Sequence, residues 1–139
     1  MVMRRSVRIG LTAFAILSAA GLGAASLPRA LAPASGGLWE VSTSANGHNP
    51  TKLCVASPDV LAQFEHRSGR CTRNVIRDAG SSVEINYTCT DGGFGRSAMT
   101  LVTPRSLTID TQGISGGLPF HYKLYARRMG DCRPQSVSR

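Results

Sequence analysis

Aromatic and charged residues are both scarce in this chain of 139 residues. Aromatic side chains make up 6% of it and charged side chains 17%, and only 8 residues are acidic. A length of about 100–150 residues is typical of one domain, which excludes a barrel enzyme of roughly 250 residues. With 42% hydrophobic residues the chain is still apolar enough to form a core, so it is not a disordered tail.

Residues with the chemistry of an active site are also few. The three histidines, His48, His66 and His121, lack the close spacing of metal ligands. No serine occurs in a G-x-S-x-G elbow, and the sequence contains no Cys-x-x-Cys redox pair. We therefore predict that the protein is not an enzyme, that it has no catalytic residues, and that it needs neither a metal nor a cofactor.

The first 32 residues have the layout of a secretory signal peptide. Three arginines within the first eight residues precede an apolar, acid-free stretch that ends near residue 22, and small residues follow it. This stretch is too short to cross a hydrocarbon core about 30 Å thick. Cleavage near residue 25 and cleavage near residue 32 both remain open. We expect export by the general secretory route to the bacterial periplasm, with no stable membrane span after cleavage.

The excess of basic residues does not indicate nucleic-acid binding. Four of the 16 basic residues and none of the acidic ones precede Pro33, so the rest of the chain has a net charge of +4. A charge of this size is typical of an ordinary solvated surface. We expect no nucleic-acid partner.

Four cysteines are spread through the chain after the leader. An even number of cysteines in a short exported chain is typical of two disulfides. Their wide spacing disfavours a zinc site, whose thiolate ligands usually come in close pairs. Three pairings are possible, and we favour Cys54 with Cys71 and Cys89 with Cys132. The first would close a short helical loop, and the second would join the last strand to a central one.

Hydrophobic alternation and turn residues predict a mainly β fold. In the segment 82–90, for example, Val83, Ile85 and Tyr87 fall on one face and polar residues on the other. About seven such strands are joined by hairpins, with one short helix from Pro58 to about Phe64 that would bury Val60, Leu61 and Phe64. We predict a single small antiparallel sheet, strongly curved or partly closed.

The domain is expected to span residues 38–132. Residues 33–37 are small and would form a linker after the leader, and residues 133–139 would form a flexible tail. A chain of this size buries only about 60–70% of its unfolded surface, so disulfides would contribute much of its stability.

Five aromatic residues are candidates for lining a ligand cavity in a curved sheet: Trp39, Tyr87, Phe94, Phe120 and Tyr122. The same residues would equally well fill a solid core, and Trp39 alone is better explained as a core anchor. We predict a non-enzymatic domain that binds a small apolar or amphipathic molecule. The alternative is a structural or interaction module that binds an envelope protein through an exposed strand edge.

Five short motifs follow one another along the chain after the leader. They are Gly37-Leu38-Trp39-Glu40-Val41, Cys54 followed by Ser57-Pro58, Cys71, Tyr87-Thr88-Cys89, and Ala126-Arg127-Arg128-Met129-Gly130-Asp131-Cys132. With these motifs in this order, the chain resembles the bacterial envelope family called domain of unknown function 3617. The resemblance implies export, a small sheet-rich domain and paired cysteines, and it implies no catalytic residues. Many members carry Met-rich stretches before the first cysteine, whereas residues 42–53 contain no Met here.

Overall fold

The computed structural model describes residues 26–133, which form one antiparallel sheet of seven strands. The strands are β1 Gly37–Ser42, β2 Thr51–Val55, β3 Cys71–Ala79, β4 Ser82–Cys89, β5 Phe94–Thr103, β6 Ser106–Ser115 and β7 Leu118–Gly130. A 3₁₀ turn at Arg29–Leu31 precedes β1, and a 3₁₀ helix at Pro58–His66 connects β2 to β3. The prediction of a mainly β, single-sheet fold with about seven strands is confirmed.

The strand order is β2-β1-β7-β6-β5-β4-β3. Strands β3 to β7 form a meander in which each strand pairs with the next, as their turn residues predict. Strand β1 pairs with β7, so the first and last strands are neighbours. This contact brings the two ends of the domain together.

The sheet is open, with β2 and β3 as its two edges. The prediction of a strongly curved or partly closed sheet is therefore wrong. The apolar face of the sheet is buried beneath two non-strand segments, residues 27–34 and 56–70, so the sheet does not need to fold back on itself. We call this face the covered face, and the other one the open face.

The covered face holds the hydrophobic core. Alternation along the central strands β4, β5 and β6 places apolar side chains on this face and mostly polar ones on the open face, as expected for a half-buried sheet. The buried apolar side chains that the strands contribute are Trp39, Val41, Val55, Val83, Ile85, Tyr87, Met99, Leu107, Ile109, Leu124 and Ala126.

Residues ahead of β1 are part of this core. Ala30, Leu31 and Ala34 are buried, and Leu31 has no exposed surface. The backbone N–H groups of Arg29 and Ala30 donate hydrogen bonds to the Asp78 carboxylate at 2.7 and 2.8 Å. These bonds, chiefly the one from Ala30, lower the pKa of Asp78, because they stabilise its charged form.

The packed part of the domain thus begins earlier than the predicted start at residue 38. The predicted linker over 33–37 contains the buried Ala34 and the first residue of β1, and the cleavage position near residue 32 lies inside packed structure. The cleavage position near residue 25, the leader before it and the tail from residue 134 lie outside the described residues.

The predicted helix is a 3₁₀ helix that extends two residues further, to His66. Leu61 is buried as predicted, but Val60 and Phe64 are only half-buried, whereas Gln63 and His66 are buried. The reason is geometric: a 3₁₀ helix has three residues per turn, and the backbone of Gln63 leaves helical geometry. Polar side chains therefore turn toward the sheet.

The four cysteines form two disulfides, as predicted, but the favoured choice of partners is wrong. Cys54 pairs with Cys132 and Cys71 with Cys89. Cys71 and Cys89 are directly opposite each other in the β3–β4 register. Cys54 lies on β2 and Cys132 lies two residues beyond the end of β7, and their Cα atoms are 5.7 Å apart. The two strands flank β1, so the pairing of β1 with both brings these distant parts of the sequence to the same end of the sheet.

Candidate functional site

The five aromatic residues predicted to line one cavity do not lie together. Trp39 on β1 is fully buried, and its indole N–H donates a hydrogen bond to the Ser35 carbonyl oxygen at 3.1 Å. Tyr87 lies on β4, four strands away, or about 19 Å at the usual strand spacing. Phe94 is opposite Thr88 in the register, on the open face, and is about half exposed. Distance across the covered face therefore separates Trp39 from Tyr87, and the sheet itself separates both from Phe94.

Three of the five residues do cluster, around His66 beneath the 3₁₀ helix. The rings of Tyr87 and Phe120 lie 5.4 and 6.0 Å from the imidazole, and Phe120 lies 5.6 Å from Tyr122. The Tyr122 hydroxyl donates a short hydrogen bond to the Glu65 carboxylate. This aromatic cluster fastens the end of the 3₁₀ helix to the sheet.

Buried hydrogen bonds reinforce the same attachment. The Ser97 hydroxyl lies 2.5 Å from the Ala62 carbonyl oxygen and 2.8 Å from the Thr111 hydroxyl. His66 Nδ1 lies 3.1 Å from the Tyr87 hydroxyl. Buried polar groups are costly unless they are paired, so these contacts let polar side chains occupy the core.

Burial changes the titration of both tyrosines in this region. It raises the pKa of Tyr87 to about 12, an effect that the neighbouring Thr111 hydroxyl opposes. Burial also raises the pKa of Tyr122 well above its ordinary range, and the Glu65 carboxylate adds to the rise. Both phenols therefore stay neutral at physiological pH, and the Tyr122 hydroxyl donates its hydrogen bond to Glu65.

The cluster leaves little room for a reacting molecule. Ser97 and Thr111 are sealed from solvent, and His66 is 7% exposed. His66 Nε2 faces the backbone of Gly93, where an added Cβ would come within 2.2 Å of that atom. Glycine is thus required at this turn for steric reasons. The arrangement is suited to holding the 3₁₀ helix in place.

A pocket of about 200 Å³ opens on the other face of the sheet. We call it the hairpin pocket, because it lies between the loop 43–50 and the β5–β6 hairpin. Its floor is formed by side chains from β1, β7 and β6, with Ser42, Tyr125 and Thr108 in one row across the strands. Glu40, Arg127 and Ser106 form the next row. The half-buried ring of Tyr125 is the largest side chain on this floor.

The walls of the hairpin pocket are apolar. Ala45, Gly47 and Pro50 from the loop form one wall, and Val102, which is 64% exposed, stands on the other. Val102 and Tyr125 therefore give the pocket apolar surface that is accessible from solvent.

The loop that forms the first wall is held by its own hydrogen bonds. The Ser42 hydroxyl donates to the His48 carbonyl oxygen at 2.5 Å and accepts from the Ser44 N–H at 3.0 Å. The Asn46 side-chain oxygen accepts from the Ser44 hydroxyl and the His48 N–H, at 2.5 and 3.2 Å. Asn and Ser form such local bonds readily, so this wall is preformed.

Two opposite charges lie next to each other at the pocket. The Glu40 side chain is 18% exposed, and its carboxylate pairs with the Lys52 ammonium at 3.8 Å. Arg127, opposite Glu40 in the β1–β7 register, is exposed and has no ion-pair partner within 4 Å among residues 26–133. The pocket therefore offers a guanidinium that can bind an anionic group.

Sequence reasoning missed this pocket, although part of the signal was present. The alternation of β7 places Tyr125 between Lys123 and Arg127 on the polar face, where an aromatic ring is informative. The loop residues resemble ordinary turn residues, and their position over β7 depends on the β1–β7 pairing.

Within the described residues, no three metal-ligating side chains come together, and no helix is long and apolar enough to cross a bilayer.

Comparison with known proteins identifies a family. No curated protein and no solved structure is similar enough to this chain to count as a match. The family described as "Protein of unknown function (DUF3617)" matches residues 31–132. This range contains all seven strands, both disulfides and the hairpin pocket. The chain belongs to the DUF3617 family.

Proposed function

We propose that this protein is a non-enzymatic binding domain of the bacterial periplasm that takes a small amphipathic molecule into the hairpin pocket. The observation that carries the proposal is the pocket itself, an apolar concavity with a preformed wall on a face that nothing else in the described chain covers. Concave, mostly apolar sites with a few placed polar groups are typical of ligand binding.

The pocket also indicates the size and polarity of the ligand. Its volume of about 200 Å³ is below the range of about 300–1,000 Å³ that holds drug-sized molecules. The ligand is therefore small, or inserts one short apolar part against Tyr125 and Val102. Lys52 already pairs with Glu40, and Arg127 has no ion-pair partner in the described part of the chain, so the polar end of the ligand is expected to be anionic.

Catalysis is not part of the proposal. Ser97 and His66, whose side chains could act as a nucleophile and a base, lie buried on the covered face, on the other side of the sheet from the pocket. A ligand in the hairpin pocket would contact a tyrosine, a carboxylate and a guanidinium, which suit binding and orientation.

The proposed location rests on the disulfides and the leader. Both cysteine pairs are bonded, and disulfides persist in oxidising compartments such as the periplasm. The basic, apolar and small-residue segments before residue 26 follow the order of a secretory signal peptide.

The alternative function, binding an envelope protein through a strand edge, has weaker support. The free edge strand β3 exposes Val75 and Ile76, which are 48% and 55% accessible. However, the β3–β4 register shifts between Val75 and Arg77. Such irregularities and charged residues at an edge discourage the addition of another strand.

Octanoate and octylammonium test the proposal, because they share one apolar chain and carry opposite charges. We expect octanoate to bind more tightly in a titration followed by heteronuclear NMR, with shifts centred on Tyr125 and Arg127. Tyr125→Ala should weaken octanoate binding about tenfold, as expected for the loss of one buried aromatic contact. Val102→Ala should weaken it, whereas Val75→Ala, a matched change on the far edge, should not. Equal binding by the wild type and Tyr125→Ala would contradict the proposal.

A further inference from the structure

A second feature of the open face lies apart from the hairpin pocket. Five neighbouring strands each place one planar, hydrogen-bonding side chain in a single row across the sheet. The row, which we call the polar ladder, consists of Asn74, Asn86, Arg96, Gln112 and His121. These residues are directly opposite one another in four successive strand registers, and all five are exposed.

The ladder carries little net charge, although it contains an arginine. The Arg96 guanidinium forms an ion pair with the Glu84 carboxylate, and His121 Nε2 lies 2.9 Å from the Asp110 carboxylate. Each carboxylate neutralises or orients its partner, so the row presents donors and acceptors rather than a positive field. Polyanions bind to uncompensated lysines and arginines, which this row does not supply.

An exposed aromatic ring flanks the ladder. Phe94 is adjacent to Arg96 on the same face of β5 and is 48% exposed. Together with Asn74, Asn86 and Gln112 it borders a shallow depression on the sheet. A large apolar ring is costly to leave in water, and its flat face suits a ligand with a flat apolar surface of its own.

We propose that the polar ladder and Phe94 form a binding site for an uncharged, β-linked oligosaccharide that lies across the strands. Side-chain amides and guanidinium groups bind pairs of neighbouring hydroxyls, and the C–H face of a sugar ring stacks on an aromatic ring. The ladder repeats at the strand spacing of about 4.8 Å, so successive rungs can contact successive rings of an extended glycan. This site is independent of the hairpin pocket and of its proposed ligand.

Isothermal titration calorimetry with chitohexaose and cellohexaose tests the proposal on the exported protein. We expect at least one of them to bind, with affinity that changes little between low and high salt, because the ladder is electrically balanced. Phe94→Ala should weaken binding about tenfold, the change expected for the loss of one stacking contact. Asn86→Ala should weaken it as well.

Val102→Ala is the control, since it removes an exposed apolar side chain of the hairpin pocket on the same face. It should leave glycan binding unchanged, while Phe94→Ala should leave octanoate binding unchanged. The two variants therefore test the glycan site and the hairpin pocket independently, and either proposal can be contradicted without the other. All these variants replace exposed side chains, so they should fold like the wild type, which circular dichroism checks. Binding of neither oligosaccharide, or equal binding by the wild type and Phe94→Ala, would overturn the proposal.

Discussion

Leu31 provides a direct test of whether the chain ahead of β1 belongs to the folded domain. Its side chain has no exposed surface and packs in the same core as Trp39 and Leu61. Replacing a buried leucine by alanine removes its transfer free energy and leaves a cavity, at a cost of about 2–5 kcal/mol. In a domain of about 100 residues, each kcal/mol lowers the melting temperature by roughly 4–8 °C. Leu31→Ala should therefore melt at least about 8 °C below the wild type.

Calorimetry of the exported protein measures this difference, with Leu118→Ala as the matched control. Leu118 is 70% exposed, so its replacement should change the free energy of unfolding by less than about 0.5 kcal/mol. Equal melting temperatures for the two variants would contradict the conclusion that the chain ahead of β1 packs into the core. The same reasoning predicts that the exported chain keeps Leu31, so its intact mass should correspond to cleavage near residue 25 rather than near residue 32.

Three further predictions concern charge, burial and covalent links. Backbone donors lower the pKa of Asp78, so its contribution to stability is present above an unfolded pKa of about 3.9 and is lost as pH falls through the lower folded value. Asp78→Asn should therefore lose less stability than the wild type between pH 7 and pH 3 in urea titrations. The pKa of Tyr87 is raised to about 12, so the stabilisation it provides is present below pH 10 and is lost as pH rises through 12. Tyr87→Phe should consequently be less sensitive to alkali, measured as the urea midpoint between pH 9 and pH 12. Replacing both Cys54 and Cys132, which are 78 residues apart, by alanine should lower the free energy of unfolding by about 4 kcal/mol, and unchanged stability would contradict this.

Local patterns in the sequence predicted the strands well. In β4 the alternation of Val83, Ile85 and Tyr87 with polar residues follows the pleat, and all three are buried. Gly80, in the turn between β3 and β4, has a positive φ of 60° that glycine adopts easily. Periodicity and turn chemistry are properties of neighbouring residues, so a single sequence shows them.

Features that depend on distant residues were harder to predict. The pairing of β1 with β7, the open sheet and the Cys54–Cys132 disulfide all require the long-range topology. The Cys71–Cys89 disulfide could have been predicted, because the β3–β4 hairpin already places these cysteines at matched ends of its strands. Strand register, rather than closeness in sequence, sets this pairing.

The candidate sites likewise combine features that local patterns predict with features that depend on distant residues. The alternation of β5 places Phe94 on the open face, so the local pattern alone argues against a single cavity lined by Phe94 and Tyr87. The hairpin pocket was missed because its wall is a loop whose position over Tyr125 depends on the β1–β7 pairing. The sequence around Leu31 does not distinguish a leader from folded structure, since small and apolar residues suit a signal peptide and a packed 3₁₀ turn equally well.

Native mass spectrometry of the protein purified from a bacterial periplasm tests the central claim most directly. The wild type should carry a noncovalent ligand of low mass that disappears on denaturation, and Tyr125→Ala should lack it while keeping both disulfides. A wild-type chain without any ligand, or a ligand that Tyr125→Ala retains in full, would contradict binding in the hairpin pocket.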